Sequence, residues 1–399
     1  MPTTCRGFAY RFATSRRRWH ADPLSATLSF MKPTKSQRGV PASTAPSGAP
    51  THSSASGSAR PASRLGASSG GRAGGGAAPQ ARPAPRQAPQ PIDPADLEQA
   101  AYVVAREALG RPLTAESKNL LWTANETRKE AQALLHLGRG NIEADVVASE
   151  GESRFRTMAS RVVRFSMEMN GIPPELHRAV RAGLASRVEA GNCDELTEVS
   201  AHLHARHLGA GDRIVNQHIH GLDHGWARVQ SATPVGGEPG SGPAAVLDAW
   251  AEGPVVEPID SRHASGRSIE THDSGRIDSA NGPAMHTTFE FARGPVTDRQ
   301  VAFVSELAVE LKRAQGSSPL QQFIEPIPVV SQVFARRARN AIDRASPTTL
   351  QASAVGALLE SRTPPTREQA EADAARVVAL ARELDVSSTL PRNVFRPIR

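Results

Sequence analysis

The first 92 of the 399 residues cannot supply a core, and this decides where any fold must lie. Residues 40–92 are almost all Ser, Ala, Gly, Pro, Gln and Arg, as in "ARPAPRQAPQPI". Such a stretch has too little apolar surface to offset the entropy of ordering it, so it is expected to be disordered. Ordered structure is expected from Asp93-Pro94, an N-cap followed by proline at the first helical position.

Charge divides at the same place. The chain carries a net +7, but residues 1–92 hold 13 basic residues and a single acid, Asp22. The remainder is net acidic. A nucleic-acid-binding core would hold the positive charge itself, so nucleic acid is not an expected partner. No apolar run approaches the ~18 residues of a membrane span. Two cysteines, Cys5 and Cys193, exclude a disulfide scaffold. Lysine is rare beside arginine, and Ala, Gly and Pro are abundant, as in GC-rich bacterial coding sequence. Residues 1–30 are Arg-rich and acid-poor. They read either as a transit-type peptide or as sequence ahead of a start at Met31, and contain no Sec-type signal.

From Asp93 the periodicity predicts helices over 95–109, 114–137, 153–169 and 174–190, with Leu176, Val180, Leu184 and Val188 on one stripe. Gly191 is expected to stop the last of these. A further helix is expected over 194–207. The pattern then turns short and alternating in "RIVNQHIH", "HGWARVQ" and "AAVLDAW", which read as strands. Residues 260–286 read as a long polar excursion. Helices are expected again from a capping box at Thr297-x-x-Gln300, near 328–344, and from a second capping box at Thr366-x-x-Gln369 to about 384. The organisation is thus a basic N-terminal region over 1–92, a helical region over 93–190, a sheet-bearing region over 191–295 and a helical region over 296–399. The fold class is α+β.

The chemistry concentrates in "AGNCDELTEV". A thiol is nucleophilic as thiolate, a form favoured at a helix N-terminus and beside an imidazolium. Asn192 is a good N-cap and would place Cys193 at the first helical position, where free backbone amides can also hold an oxyanion. Asp194 and Glu195 oppose a second negative charge there. Downstream, a hairpin centred near residue 237 would set Trp226 opposite Asp248 and His224 opposite Trp250. His224 and Asp248 would then be diagonal neighbours on one face. In these roles Cys193 attacks a carbonyl, His224 carries the proton, and Asp248 fixes the imidazole tautomer. Asn192 and Trp226 are candidate supports, for an oxyanion and for the sheet. Asp223 and Asp260 rival Asp248.

In this order, and on these elements, Cys193, His224 and Asp248 resemble the papain-like transglutaminase superfamily. "GNCDEL", "DHGWARV" and "VLDAWAEGPVV" resemble more particularly the AvrPphE/HopX/XopE family of type III effectors from plant-pathogenic bacteria. The likeness covers about 190–256, and loosely 95–345. It implies a papain/transglutaminase-like core: a cysteine-bearing helix followed by a small antiparallel sheet bearing the histidine and aspartate. It also implies secretion by a bacterium into the host-cell cytoplasm, no cofactor, and a host protein as substrate whose modification suppresses immunity. A type III secretion chaperone would engage the N-terminal region. Neither Pro2 after Met1 nor Lys32 after Met31 provides the glycine of a myristoylation signal.

Two other classes stay open. His218-x-His220-x-x-Asp223-His224 resembles the HxHxDH motif of metallo-β-lactamase-like hydrolases, with one residue too many before the aspartate and only a loose downstream set in His263, His272 and Asp273. His202, His204 and His207 do not share a helix face and make a poor chelate. The remaining class is a secreted adaptor with an idle cysteine. "GGRAGGG" and "GGEPGSG" lack the strand–helix setting of a nucleotide loop.

Overall fold

Asp93 and Pro94 start the first helix as their chemistry dictates. In the computed structural model, which describes residues 91–169, 172–219, 224–232, 242–263, 271–315 and 323–385, α1 spans Pro94–Ala108. The Asp93 side chain accepts the Ala95 N–H at 2.8 Å. Thr114 caps α2 (Ala115–Leu134) through the Ser117 N–H. Then come a short strand β1 (Gly138–Arg139), α3 (Glu143–Ala148), α4 (Glu152–Met169) and α5 (Pro174–Val188). The expected disorder of the N-terminal region, the question of its start and Cys5 lie outside the described residues. Residues Ala88–Arg399 form one compact unit.

Helix α5 does not run to Gly191. It stops at Val188 because Glu189 turns left-handed, with φ 64°. Ala190–Gly191 then form β2, which pairs in parallel with β1. Gly191 is needed for space: a Cβ there would lie 2.6 Å from the Glu195 Cβ and 2.9 Å from Leu135 Cδ2. Helix α6 (Cys193–His204) follows at once and is buried at every residue but Asp194, against α2, α5 and the sheet.

The sheet has the order β5-β4-β3-β6, with every neighbour antiparallel. It is built from β3 (Arg213–Ile219), β4 (Gly225–Gln230), β5 (Ala244–Leu247) and β6 (Thr271–Asp278). Ala227 faces Leu247 and Arg228 faces Val246, the register of a hairpin centred near residue 237. The strand ends sooner than expected, however. Asp248 bends the chain back, its Oδ1 accepting the amides of Trp250 at 3.1 Å and Ala251 at 2.9 Å, so Trp250 sits in a turn.

The expected polar excursion over 260–286 is largely ordered. Strand β6 and helix α7 (Gly282–Arg293) occupy it. The strand is an edge strand, where polar residues are tolerated and hide the apolar alternation. The helix has Pro at its start, after Asn281. Helix α8 (Pro295–Gln315) begins two residues before Thr297, so the expected capping box there is interior. Ser331 starts α9 (Gln332–Ile342), Pro347 begins an unforeseen α10 (Pro347–Leu359), and Thr366 with Gln369 makes the expected capping box on α11 (Arg367–Arg382).

Two apolar clusters hold these elements. The larger joins α1, α2, α6, the sheet and α9–α11, and includes Cys193, Trp226 and Trp250. The smaller joins α4, α5 and α8 through Val163, Leu184, Val188, Val304 and Leu307.

Candidate active site

Asn192 is the N-cap and Cys193 the first residue of α6, so the thiol sits where backbone amides are unpaired within the helix. The acids beside it are compensated. Glu195 is buried, and its carboxylate accepts the Asn192 N–H at 2.9 Å. Arg161 and Arg164 lie 3.4 and 3.5 Å from it. Burial resists its charge, but Arg161, that amide and Arg164 together hold its pKa below the usual carboxylate range. Asp194 lies 3.8 Å from Nδ1 of His218.

His224 stands just before β4, and its Nε2 lies 2.6 Å from Asp248 Oδ2. Both side chains are buried. Burial disfavours charge on His224. The Asp248 charge and hydrogen bond, joined by Cys193, outweigh burial and raise its pKa to about 10. The ring's other nitrogen, Nδ1, makes no hydrogen bond of ordinary geometry. Cys193 also acts on His224 and is among the groups that raise its pKa. The Asp248 carboxyl is held well below its ordinary range, its burial overcome by His224 and then His263. The three residues expected to act together therefore meet: a thiol at a helix start, an imidazole that holds a proton at neutral pH, and an ionised carboxylate behind it. Asp260 is occupied elsewhere, by Tyr102 and Arg106 at 2.7 Å each. Asp223 and His220 lie outside the described residues.

Trp226 is buried, so it packs and offers no open platform. Its ring stacks on His263 at 4.3 Å and 11°, while Trp250 lies 4.9 Å from His224. His263 is the residue that sequence reasoning missed in this role. Its Nε2 reaches the same Asp248 Oδ2 at 3.1 Å. No spacing in the sequence marks it.

His224, Asp248 and His263 offer ligand atoms within 4.8 Å of one another, while His218, expected in a metal set, is not part of that group. An ionised carboxylate only accepts, so each Nε2 bonded to Asp248 carries a proton, and a cation bound at those nitrogens would have to displace these hydrogen bonds.

The flanking helices fix the 248–263 segment. Gln99 exchanges two hydrogen bonds with the Val255 backbone, at 3.0 and 2.9 Å. Tyr102 accepts the Glu257 amide, and Arg128 donates to the Gly253 carbonyl. From the other side, Arg262 and Val329 join through their backbones at 2.9 Å, as do Ser331 and Asp260 at 2.8 Å. Buried Arg139 links the two halves of the site. It sits on β1 beside Gly191, binds Asp145 at 2.7 Å and donates to the Trp250 carbonyl at 2.8 Å.

No protein-family model, no curated protein and no solved structure matches this chain.

Proposed function

We propose that the chain is a thiol enzyme of papain/transglutaminase-like design, carrying out acyl transfer on a peptide or glutamine amide. The observation that carries this reading is His224, held by Asp248 at 2.6 Å with the helix-start Cys193 as its other neighbour. The Cys193 sulfur, its proton passed to His224, attacks the amide carbonyl. His224 protonates the departing amine or ammonia as the C–N bond breaks, leaving a thioester. Water or an amine then gives its proton to His224 and attacks the thioester, returning the thiol. The first acceptor gives proteolysis or deamidation, the second transglutamination. First-turn amides of α6 are available to the oxyanion.

The resemblance of "GNCDEL", "DHGWARV" and "VLDAWAEGPVV" to type III effectors supports a setting for this chemistry. There the enzyme is secreted into a plant cell and modifies host proteins that serve immunity. The test is incubation of the purified protein with glutamine-containing peptides, with and without a primary amine. Ammonia release or isopeptide formation is expected, together with a thioester adduct on Cys193, all lost in Cys193→Ser. Activity that survives Cys193→Ser and is abolished by a chelator would replace the thiol with a metal-dependent hydrolase. A host phenotype unchanged by Cys193→Ser would leave an adaptor.

A further inference from the structure

We propose that His263 is a positioning residue: its Nε2–H locks the Asp248 carboxylate so that Oδ2 stays aimed at His224 as the proton moves. This inference rests on the thiol-enzyme reading above. Asp248 Oδ1 is occupied by the amides of Trp250 and Ala251. Oδ2 meets His224 at 2.6 Å and His263 at 3.1 Å. With His224 alone, that oxygen would keep an unused acceptor site in a buried setting, and only His224 would hold Oδ2 while the two amides hold Oδ1.

His263 is built to prevent this. It is 7 % exposed and stacked flat on Trp226, and its backbone N–H donates to the hydroxyl of fully buried Ser261 at 2.9 Å. Ser261 pairs in turn with Val330, and Arg262 is tied to Val329. The ring thus has fixed height, tilt and tautomer. The charged and titratable groups that act on it are Asp248, His224 and Arg262. Burial foremost, with His224 and Arg262 adding, keeps His263 neutral despite Asp248. It therefore donates without adding a second cation, and the positive charge stays on His224.

The experiment follows alkylation of Cys193 by iodoacetamide against pH, in full-length protein carrying Cys5→Ser. His263→Gln keeps an N–H donor at the ε position. His263→Asn is equally polar but too short to reach, and His263→Phe keeps the stack without the donor. The expected result is a rate within about threefold of the parent for Gln, and a fall of about tenfold for both Asn and Phe. The His224-dependent limb of the profile should also shift in those two variants. If Phe does not fold, the Gln–Asn pair decides alone. An Asn or Phe variant that reacts like the parent overturns the proposal, as does equal loss in Gln and Asn, which would make the ring itself the requirement. A parent rate that His224→Gln leaves unchanged overturns the thiol-enzyme reading and this proposal together. A parent rate that depends on His224 while the His263 variants leave it unmoved overturns this one alone.

Discussion

One carboxylate oxygen shared by two imidazoles gives the candidate site its own response to pH. The His224 pKa rises from 6.5 to about 10 on folding. A raised value contributes stability that is whole below the unfolded pKa and is lost as pH rises through the folded one. From about pH 8.5, where the unfolded chain holds a proton on neither His224 nor Cys193, up to about 10 the native state alone holds this proton, so the loss has a slope of up to about 1.4 kcal/mol per pH unit. His224→Gln should flatten that alkaline decline in urea titrations at pH 7 to 11; parallel curves for parent and variant would contradict the pairing. Asp248 behaves oppositely. Its depressed pKa contributes stability above the ordinary carboxylate range, and this is lost in acid. Cys193, His224 and Asp248 were legible because helix capping and strand register are local properties, and Ala227 opposite Leu247 is the register the alternation dictates. His263 was not, because its place depends on backbone pairing with Val329 and Val330, far away in sequence.

At the scale of elements, the site depends on how closely the start of α6 approaches its neighbours. Gly191→Ala drives a methyl into Glu195 and Leu135. Overpacking of this kind costs about 1–3 kcal/mol, and here it also displaces the Cys193 turn. Thermal unfolding should fall and Cys193 alkylation should slow together; an unchanged alkylation rate would detach Gly191 from the site. Arg139→Met removes the cation from buried Asp145 and Glu252. A loss of about 3–5 kcal/mol is expected in urea unfolding, partly restored by adding Asp145→Leu. Most helices were legible from capping residues, as at Thr114 and Thr366. Strand β6 and helix α7 were not. An edge strand need not alternate strictly, and Thr297-x-x-Gln300 offered a false start within α8.

At the scale of the molecule, one helix before the sheet and one segment after it meet at the candidate site. Helix α1 and the segment around Val329 grip residues 252–262 from both sides, and that grip sets the distance between Asp248 and His263. The compact unit that holds the site starts at Ala88. Residues 88–399 expressed alone should therefore unfold at the same midpoint as the full chain and keep the same Cys193 reactivity. A lower midpoint would make the first 87 residues part of the fold. Asp260→Asn, at the centre of the α1 grip, should lower stability and Cys193 reactivity together.

The most direct test of the Cys193–His224–Asp248 site is the second-order rate of Cys193 alkylation near pH 7 in the Cys5→Ser protein. The parent should react faster than the same protein in urea. His224→Gln should react about a hundredfold more slowly than the parent, and Asp248→Asn at least tenfold more slowly. A parent rate no greater than that of the unfolded thiol, unmoved by either substitution, would contradict the account.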